Sequence, residues 1–141
     1  ALLGPNYLIG GWAPILLIFL PSTVLGSSLG VWLFYVQHQF EHTHWENETD
    51  WDMHEAALHG SSHYLLPPVL QWLSGNIGIH HVHHLNSRIP FYRLPEVLRD
   101  HGDIAVGAEL TIRESLATAK LHLWDEEGKR LLSYKEARAL A

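Results

Sequence analysis

The chain has 141 residues, no cysteine, twelve histidines and a formal net charge of −6. The missing cysteines exclude disulfides, thiolate zinc sites and iron–sulfur clusters, so a metal ion would need histidine, carboxylate or main-chain oxygen ligands. The acidic balance and the absence of any Lys/Arg run argue against nucleic-acid binding. Every Asp, Glu, Lys and Arg follows residue 40, so an uncharged front precedes a water-soluble back.

The uncharged front has the composition of a membrane segment. Residues 1–9 resemble the end of a preceding membrane helix that Pro5 would interrupt, and the double glycine at Gly10 predicts a turn. Residues 12–36 then provide an uncharged stretch that is long enough to cross a bilayer. Pro21 predicts a kink, which membrane helices tolerate. The alternative is the buried core helix of a soluble protein.

A first group of histidines follows this span. His38 and His42 are four residues apart, which would place them on one face of a continuing helix, with Glu41 beside them and His44 beyond. Polar groups at the end of a membrane helix indicate a functional site. The alternative is that these histidines only line the interface. Residues 41–55 contain six acidic and no basic side chains, which predicts a solvated connection.

Capping and turn residues divide the next part of the chain into short helices. The pattern over residues 51–59, followed by Gly-Ser-Ser, predicts a helix with a clear start and stop. A proline at the first position predicts an apolar helix over 68–73. The glycines of 75–78 permit a tight bend. Residues 94–100 predict a short amphipathic helix.

A second group of histidines lies in the stretch Gly-Ile-His-His-Val-His-His-Leu-Asn-Ser-Arg-Ile-Pro that ends at Pro90. If this stretch is helical up to the proline, His80, His83 and His84 lie within an arc of roughly 100°. His81 points off the edge of that arc. Three imidazoles on one helix face predict a site for iron, zinc or copper. The alternative is a polar helix face that uses histidines for surface hydrogen bonds.

Short local patterns organise the last forty residues. The sequences at 111–114 and 133–136 are capping boxes, which predict a helix reaching about Leu121 and a final helix at the C-terminus. Turn residues at 126–128 predict a small hairpin over 121–132. No spacing of residues in this region indicates catalysis or metal binding.

Two histidine groups, one of them beside a membrane span, fit three classes of protein. These are an iron oxygenase-type enzyme acting on a lipid, a membrane-associated zinc hydrolase, and a metal-storing or structural histidine module. A zinc hydrolase needs a carboxylate base, for which Glu41 is a candidate, but no H-E-x-x-H pattern is present. A storage module would have a looser, repetitive tract. The oxygenase explains both features, because acyl chains are membrane-soluble and their methylene groups need an oxidising metal centre.

The histidines and their surroundings resemble a known family. The H-x-x-H-H-L-x-S-x-x-P motif of residues 80–90 resembles the third histidine box of the membrane-bound fatty acid desaturases, in the branch with the delta-12 (omega-6) acyl-lipid enzymes. Residues 34–41 (FYVQHQFE) resemble the segment just beyond the fourth transmembrane helix of that family. The resemblance covers about residues 12–100, and shorter matches lie at 51–52, 60–62 and 75–78.

The resemblance implies a non-haem di-iron centre, in which two iron (Fe) ions use dioxygen (O2) as co-substrate to introduce a cis double bond into an acyl chain. The metal ligands that it implies are His38, His80, His83 and His84. His42 and His44 are further candidates without a firm counterpart in the family. Asn76 is a candidate for orienting a ligand from outside the first coordination sphere.

The resemblance also implies partners. The substrate would be a fatty acyl lipid, and membrane lipid would surround the span. Since the sequence has no flavin, haem or iron–sulfur motif, electrons would come from a donor such as ferredoxin or cytochrome b5. The alternatives are a lipid or carotenoid hydroxylase or ketolase of the same superfamily, and a membrane zinc hydrolase.

The chain departs from the family in one respect. The first two histidine boxes are absent, and four candidate ligands are about half of what the family uses for two iron ions. The chain also opens inside an apolar run without the basic start of a signal peptide. We therefore expect a C-terminal portion of a desaturase whose active site is incomplete and which is inactive alone.

The expected fold is an all-α membrane protein with one full transmembrane helix, the remnant of a preceding one, and a cytosolic helical cap that carries the histidine helix, with a small hairpin near the C-terminus. We expect a membrane segment over 1–40, a metal-binding cap over 41–101 and a C-terminal tail over 102–141. All lysines and arginines follow the span, so we expect the histidine-rich region and the C-terminus to be cytoplasmic.

Overall fold

The structure, a computed structural model, describes residues 2–46, 51–102 and 106–140. The chain is mainly helical and divides into two compact units, Ala1–Phe34 and Tyr35–Ala141. The helices are α1 (Leu3–Gly10), α2 (Leu20–His38), α3 (Met53–His59), α4 (Pro68–Leu73), α5 (His80–Leu85), α6 (Leu94–Asp100), α7 (Ile112–Thr118) and α8 (Tyr134–Leu140), and the strands are β1 (His63–Leu65), β2 (Glu109–Thr111), β3 (Leu121–Asp125) and β4 (Arg130–Ser133).

The first unit is helical and apolar. Helix α1 ends where Gly11 adopts a positive φ of 64°, in agreement with the predicted turn. Pro5 does not interrupt α1, because a proline in the first turn has no intrahelical hydrogen bond to lose. Helix α2 continues through Pro21 and is preceded by a π-helical turn over Ile15–Phe19, and the kink at Pro21 stays a prediction. The continuous helical stretch Ile15–His38 is long and apolar enough to cross a membrane.

The short helices that follow begin and end at the residues that predicted them. Asp52 caps α3, and its carboxylate accepts hydrogen bonds from the backbone N–H groups of His54 and Glu55 at 2.8 and 3.1 Å. Pro68 occupies the first turn of α4. In the acidic connection predicted over 41–55, residues 47–50 lie outside the described part of the chain.

The histidine helix α5 is shorter than predicted. It begins after a turn in which Gly75 and Asn76 have positive φ values of 66° and 57°. It ends at Leu85, so the prediction of a helix reaching Pro90 was wrong. The reason is Asn86, whose backbone is extended and whose side chain accepts a hydrogen bond from the Arg88 N–H at 3.1 Å. This local bond stabilises a turn in place of a further helical turn.

The described part of the chain contains two small sheets, of which the sequence predicted the hairpin near the C-terminus and missed the pair β1–β2. Strand β1 pairs in parallel with β2, which lies more than forty residues later in the chain. The strands are three residues long, too short to show an alternating pattern in the sequence. Strands β3 and β4 form an antiparallel hairpin where the turn residues predicted one. Helix α7 ends at Thr118, before the predicted Leu121, because Leu121 already belongs to β3.

The second unit has a small apolar core that supports the histidine helix. Its fully buried members are Ile79, Val82 and Leu94, and the partly buried Ile89, Val97 and Leu98 pack against them. Segments beyond residue 101 belong to the same unit and contact its earlier part. For example, the Leu131 N–H donates to the Glu41 carbonyl at 2.8 Å. The division of this region into a cap and a tail stays a prediction.

Candidate metal centre

Three imidazoles converge where the end of α2 meets α5. Nε2 of His38 lies 3.2 Å from Nε2 of His84. One ring nitrogen from each of His38, His80 and His84 lies within 4.8 Å of the other two. His80 and His84 belong to consecutive turns of α5, so a single short helix presents two of the three rings to the last residue of α2.

The spacing between the nitrogens of His38 and His84 fits a shared metal ion. Two ligand nitrogens, each about 2.1 Å from one ion and at roughly 90–110° to each other, lie about 3.0–3.4 Å apart. The distance of 3.2 Å between His38 and His84 falls within this range. Two imidazoles at that separation share either a proton or a cation, because two lone pairs that face each other without one repel.

Burial favours the neutral form of two ligand candidates, His80 and His84, by lowering the pKa of each, and neutral imidazole is the form that binds metals. Burial, with the rings of His84 and His38 acting in the same direction, lowers the pKa of His80 to about 3. Burial also lowers the pKa of His84, with His38 contributing in the same direction. Nδ1 of His80 is buried and has no hydrogen-bond partner in the described residues.

His83 lies beside the cluster and does not join it. Its ring stacks on that of His80, with ring centroids 5.6 Å apart and planes inclined by 19°. His83 and His80 together line a groove of about 340 Å³ whose other walls include Ile77, Ile89 and Leu94. The structure therefore divides the four principal candidates into a converging group of three and one neighbour that faces an apolar groove.

The remaining histidine candidates of the first group do not reach the cluster. Because α2 ends at His38, His42 does not share a helix face with it. His42 is exposed, with Nε2 4.0 Å from a carboxylate oxygen of Glu41. That carboxylate also accepts a hydrogen bond from Arg130 at 3.0 Å. The backbone N–H of His44 donates to the His59 carbonyl at 2.9 Å, which ties this segment to α3.

Asn76 contributes to the turn that precedes α5. Its side-chain amide donates to the Phe91 carbonyl at 2.9 Å, and its own carbonyl accepts the Ile79 N–H at 3.0 Å. Asparagine is one of the few residues other than glycine that tolerate a positive φ. The contacts of Asn76 thus fix where α5 begins.

Two further histidines pack behind the cluster. His81 is fully buried, and its ring centroid lies 5.3 Å from that of His63 in β1. The sequence indicated only that His81 points off the edge of the arc formed by the other three. Nothing in the spacing of His63 indicated this contact, because it depends on the pairing of β1.

The fold and the site define a mainly helical protein with a candidate membrane span and a histidine site suited to a metal ion. The family model described as fatty acid desaturase matches residues 1–115. The chain therefore belongs to the fatty acid desaturase family, which confirms the predicted resemblance. It is 44% identical over 128 residues to a protein of Bacillus subtilis (strain 168) named fatty acid desaturase. That match covers 91% of this chain and 36% of the relative, so the chain spans about a third of the length of this curated relative.

Proposed function

We propose that the chain is part of a fatty acyl desaturase and supplies one side of a non-haem di-iron centre. The observation that carries this proposal is the convergence of His38, His80 and His84, whose ring nitrogens lie within 4.8 Å of one another and of which His38 and His84 are 3.2 Å apart. Iron bound there supplies, with dioxygen and two electrons, the oxidising chemistry that removal of hydrogen from unactivated methylene groups requires.

The four principal histidines would divide between the two ions. His38, His80 and His84 would hold one ion, and His83, which lies outside that group, would serve the other. His84 is exposed, so the cluster is open to ligands from beyond this chain. Nearly two thirds of the curated relative lies outside the matched segment, and we propose that the remaining ligands come from that part of the protein.

The groove beside His80 and His83 is suited to an acyl chain. Its lining is mainly apolar and includes Ile77, Ile89 and Leu94, and no Asp, Glu, Lys or Arg among the described residues lines it. An apolar lining favours a hydrocarbon chain and keeps water away from the reacting methylene groups. The substrate would enter from the membrane, and the histidine-rich unit would lie on the cytoplasmic side. A ferredoxin or a cytochrome b5 would supply electrons.

A chimera tests this proposal. The segment of the Bacillus subtilis relative that matches this chain is replaced by residues 1–141, and the chimera is expressed in a host without its own desaturase. We expect unsaturated acyl chains in the host lipids, detected by gas chromatography and mass spectrometry. His83→Ala should abolish them. His54→Ala, which removes an exposed histidine of α3, should not.

The same experiment separates the alternatives. Hydroxylated acyl chains without any alkene would favour a hydroxylase and would overturn the proposal. Metal analysis of the purified chimera should find iron, and zinc in its place would favour a hydrolase. No carboxylate of the described residues joins the histidine group, which leaves a zinc hydrolase without a base next to the metal. The 141-residue chain alone should form no product.

A further inference from the structure

The side of α5 that faces away from the cluster is packed without free space. His81 and Val82 have exposed fractions of 0% and 1%. They follow His80 directly, so their positions and the direction of the ligand rings are set by the same helix rotation. The His81 ring cannot move without displacing either its neighbours or α5 itself.

Gly107 is one of those neighbours. A Cβ atom added to Gly107 would lie 3.2 Å from both Cγ and Cδ2 of His81, and 3.4 Å from the Leu58 carbonyl oxygen. Residue 107 therefore lies between His81 of α5 and the Leu58 carbonyl of α3, and a Cβ atom there would require its neighbours to move by a few tenths of an ångström.

His63 connects the segment around Gly107 to the start of α5. Its backbone N–H donates to the Ala108 carbonyl at 2.7 Å, and the residue also forms an antiparallel bridge with Ile79. Its Nδ1 lies 3.9 Å from a carboxylate oxygen of Glu109. Strand β1 is thus held on one edge by β2 and on the other by the residue that immediately precedes α5.

A buried side-chain pair anchors the same strand from another direction. The Tyr64 hydroxyl lies 3.0 Å from Oγ of Ser115, and both side chains are buried. Ser115 in turn donates to the Ile112 carbonyl at 2.7 Å, so its oxygen accepts the hydrogen bond from Tyr64. Helix α7 therefore restrains β1, and β1 restrains His81.

We propose that Gly107, His63 and His81 form a brace that sets the rotation of α5 and thereby brings His80 and His84 to His38. The inference rests on the metal site of the proposed function. Metal–ligand distances are useful only within about 0.2 Å of their ideal values. A methyl group at residue 107 requires a displacement of a few tenths of an ångström at His81, which is comparable to that tolerance. The brace residues are positioning residues and touch no substrate.

The test uses Gly107→Ala in the 141-residue chain in detergent micelles, with Co²⁺ as the probe. We expect the Kd for Co²⁺ to rise by about 10–100-fold, the usual effect of losing a residue that orients metal ligands. The visible absorption of bound Co²⁺ should change shape. Gly30→Ala is the matched control, because nothing lies within 4 Å of a Cβ added there, and it should leave both readouts unchanged.

A second comparison separates positioning from general destabilisation. Leu132→Ala truncates a buried side chain in the hairpin, 4% exposed, and should lower the Tm of the metal-free chain at least as much as Gly107→Ala. It should leave the Kd for Co²⁺ unchanged. Equal weakening of Co²⁺ binding by both variants, or wild-type affinity in Gly107→Ala, would overturn the brace.

Side-chain ¹⁵N resonances of His80 and His84 in the metal-free chain provide a readout that does not depend on the metal. They should shift in Gly107→Ala and stay in place in Leu132→Ala. Unchanged resonances in both variants would overturn the brace whatever the metal binding. Shifted resonances in a chain whose wild type does not bind Co²⁺ would overturn the proposed metal site and leave the brace intact.

Discussion

The histidines of residues 38–44 and those of residues 80–84 are held in different ways. The second group lies within a helix, so the distance between His80 and His84 is fixed by consecutive turns. The first group straddles the end of α2, and only His38 retains helical geometry. Spacing along a sequence therefore determines which side chains meet only where the helix continues through all of them.

The segment beyond His38 takes its conformation from the hairpin. The Leu131 N–H donates to the Glu41 carbonyl, and Lys129 contacts the carboxylate of Glu46 at 3.2 Å. These contacts pull residues 41–46 towards β4 and leave His42 in solvent. The difference between the two groups is thus a difference between local and tertiary control of side-chain position.

The largest effect on Co²⁺ affinity should come from replacing a histidine of the second group, compared with a histidine of the first group in the same experiment. His84→Ala removes a ligand nitrogen from the cluster, so Co²⁺ affinity should fall by more than the roughly 10–100-fold that loss of an outer residue costs. His42→Ala should change it by less than about twofold, because His42 is exposed and outside the cluster. Isothermal titration calorimetry of the chain in micelles measures both. Equal losses would mean that the first group also binds the metal.

The sequence predicted those parts of the structure that depend on local contacts and missed those that depend on tertiary contacts. Caps at Asp52 and at Thr111 placed helix starts correctly, because a cap is a contact between residues three apart. The convergence of His38 with α5 was anticipated from the family resemblance, since nothing local joins residues 46 positions apart. The β1–β2 pair was missed for the same physical reason. The early end of α5 depended on one side-chain bond at Asn86.

The second prediction concerns the entrance to α5. Asn76→Ala loses the bond to Phe91, worth about 1 kcal/mol, and places alanine at a φ of 57°, which costs about 1 kcal/mol more. The free energy of unfolding should fall by about 2 kcal/mol in total. Asn76→Gly keeps the positive φ accessible, so its free energy of unfolding should fall by about half as much as that of Asn76→Ala. Denaturant titration followed by tryptophan fluorescence measures the difference, and equal losses in the two variants would contradict the backbone argument.

The third prediction concerns pH. The pKa of His80 is lowered by burial from its ordinary value of 6.5 to about 3. Between these values the unfolded chain binds a proton at His80 that the folded chain does not, so stability falls as the pH decreases below about 6.5. The Tm of the metal-free chain should therefore drop between pH 7 and pH 5, a range above the ordinary pKa values of carboxyl groups.

His80→Phe serves as the comparison for this pH dependence. It keeps an aromatic ring in a half-buried position and removes the titrating nitrogen. The decrease in Tm between pH 7 and pH 5 should be smaller in this variant, with part of the decrease retained because the pKa values of His84 and His63 are also lowered by burial. The same slope in both proteins would show that His80 is not the group responsible.

The smallest effect should come from Glu41, the acidic residue of the first group. Its ion pair with Arg130 is half exposed, and such pairs contribute about 0–1 kcal/mol, so Glu41→Gln should lower the free energy of unfolding by less than about 1 kcal/mol. The main-chain bond from Leu131 remains, because it uses the Glu41 carbonyl. The chimera carrying Glu41→Gln should still form alkenes. If it formed none, residues beyond His38 would take part in the chemistry, and the contrast between the two histidine groups would fail.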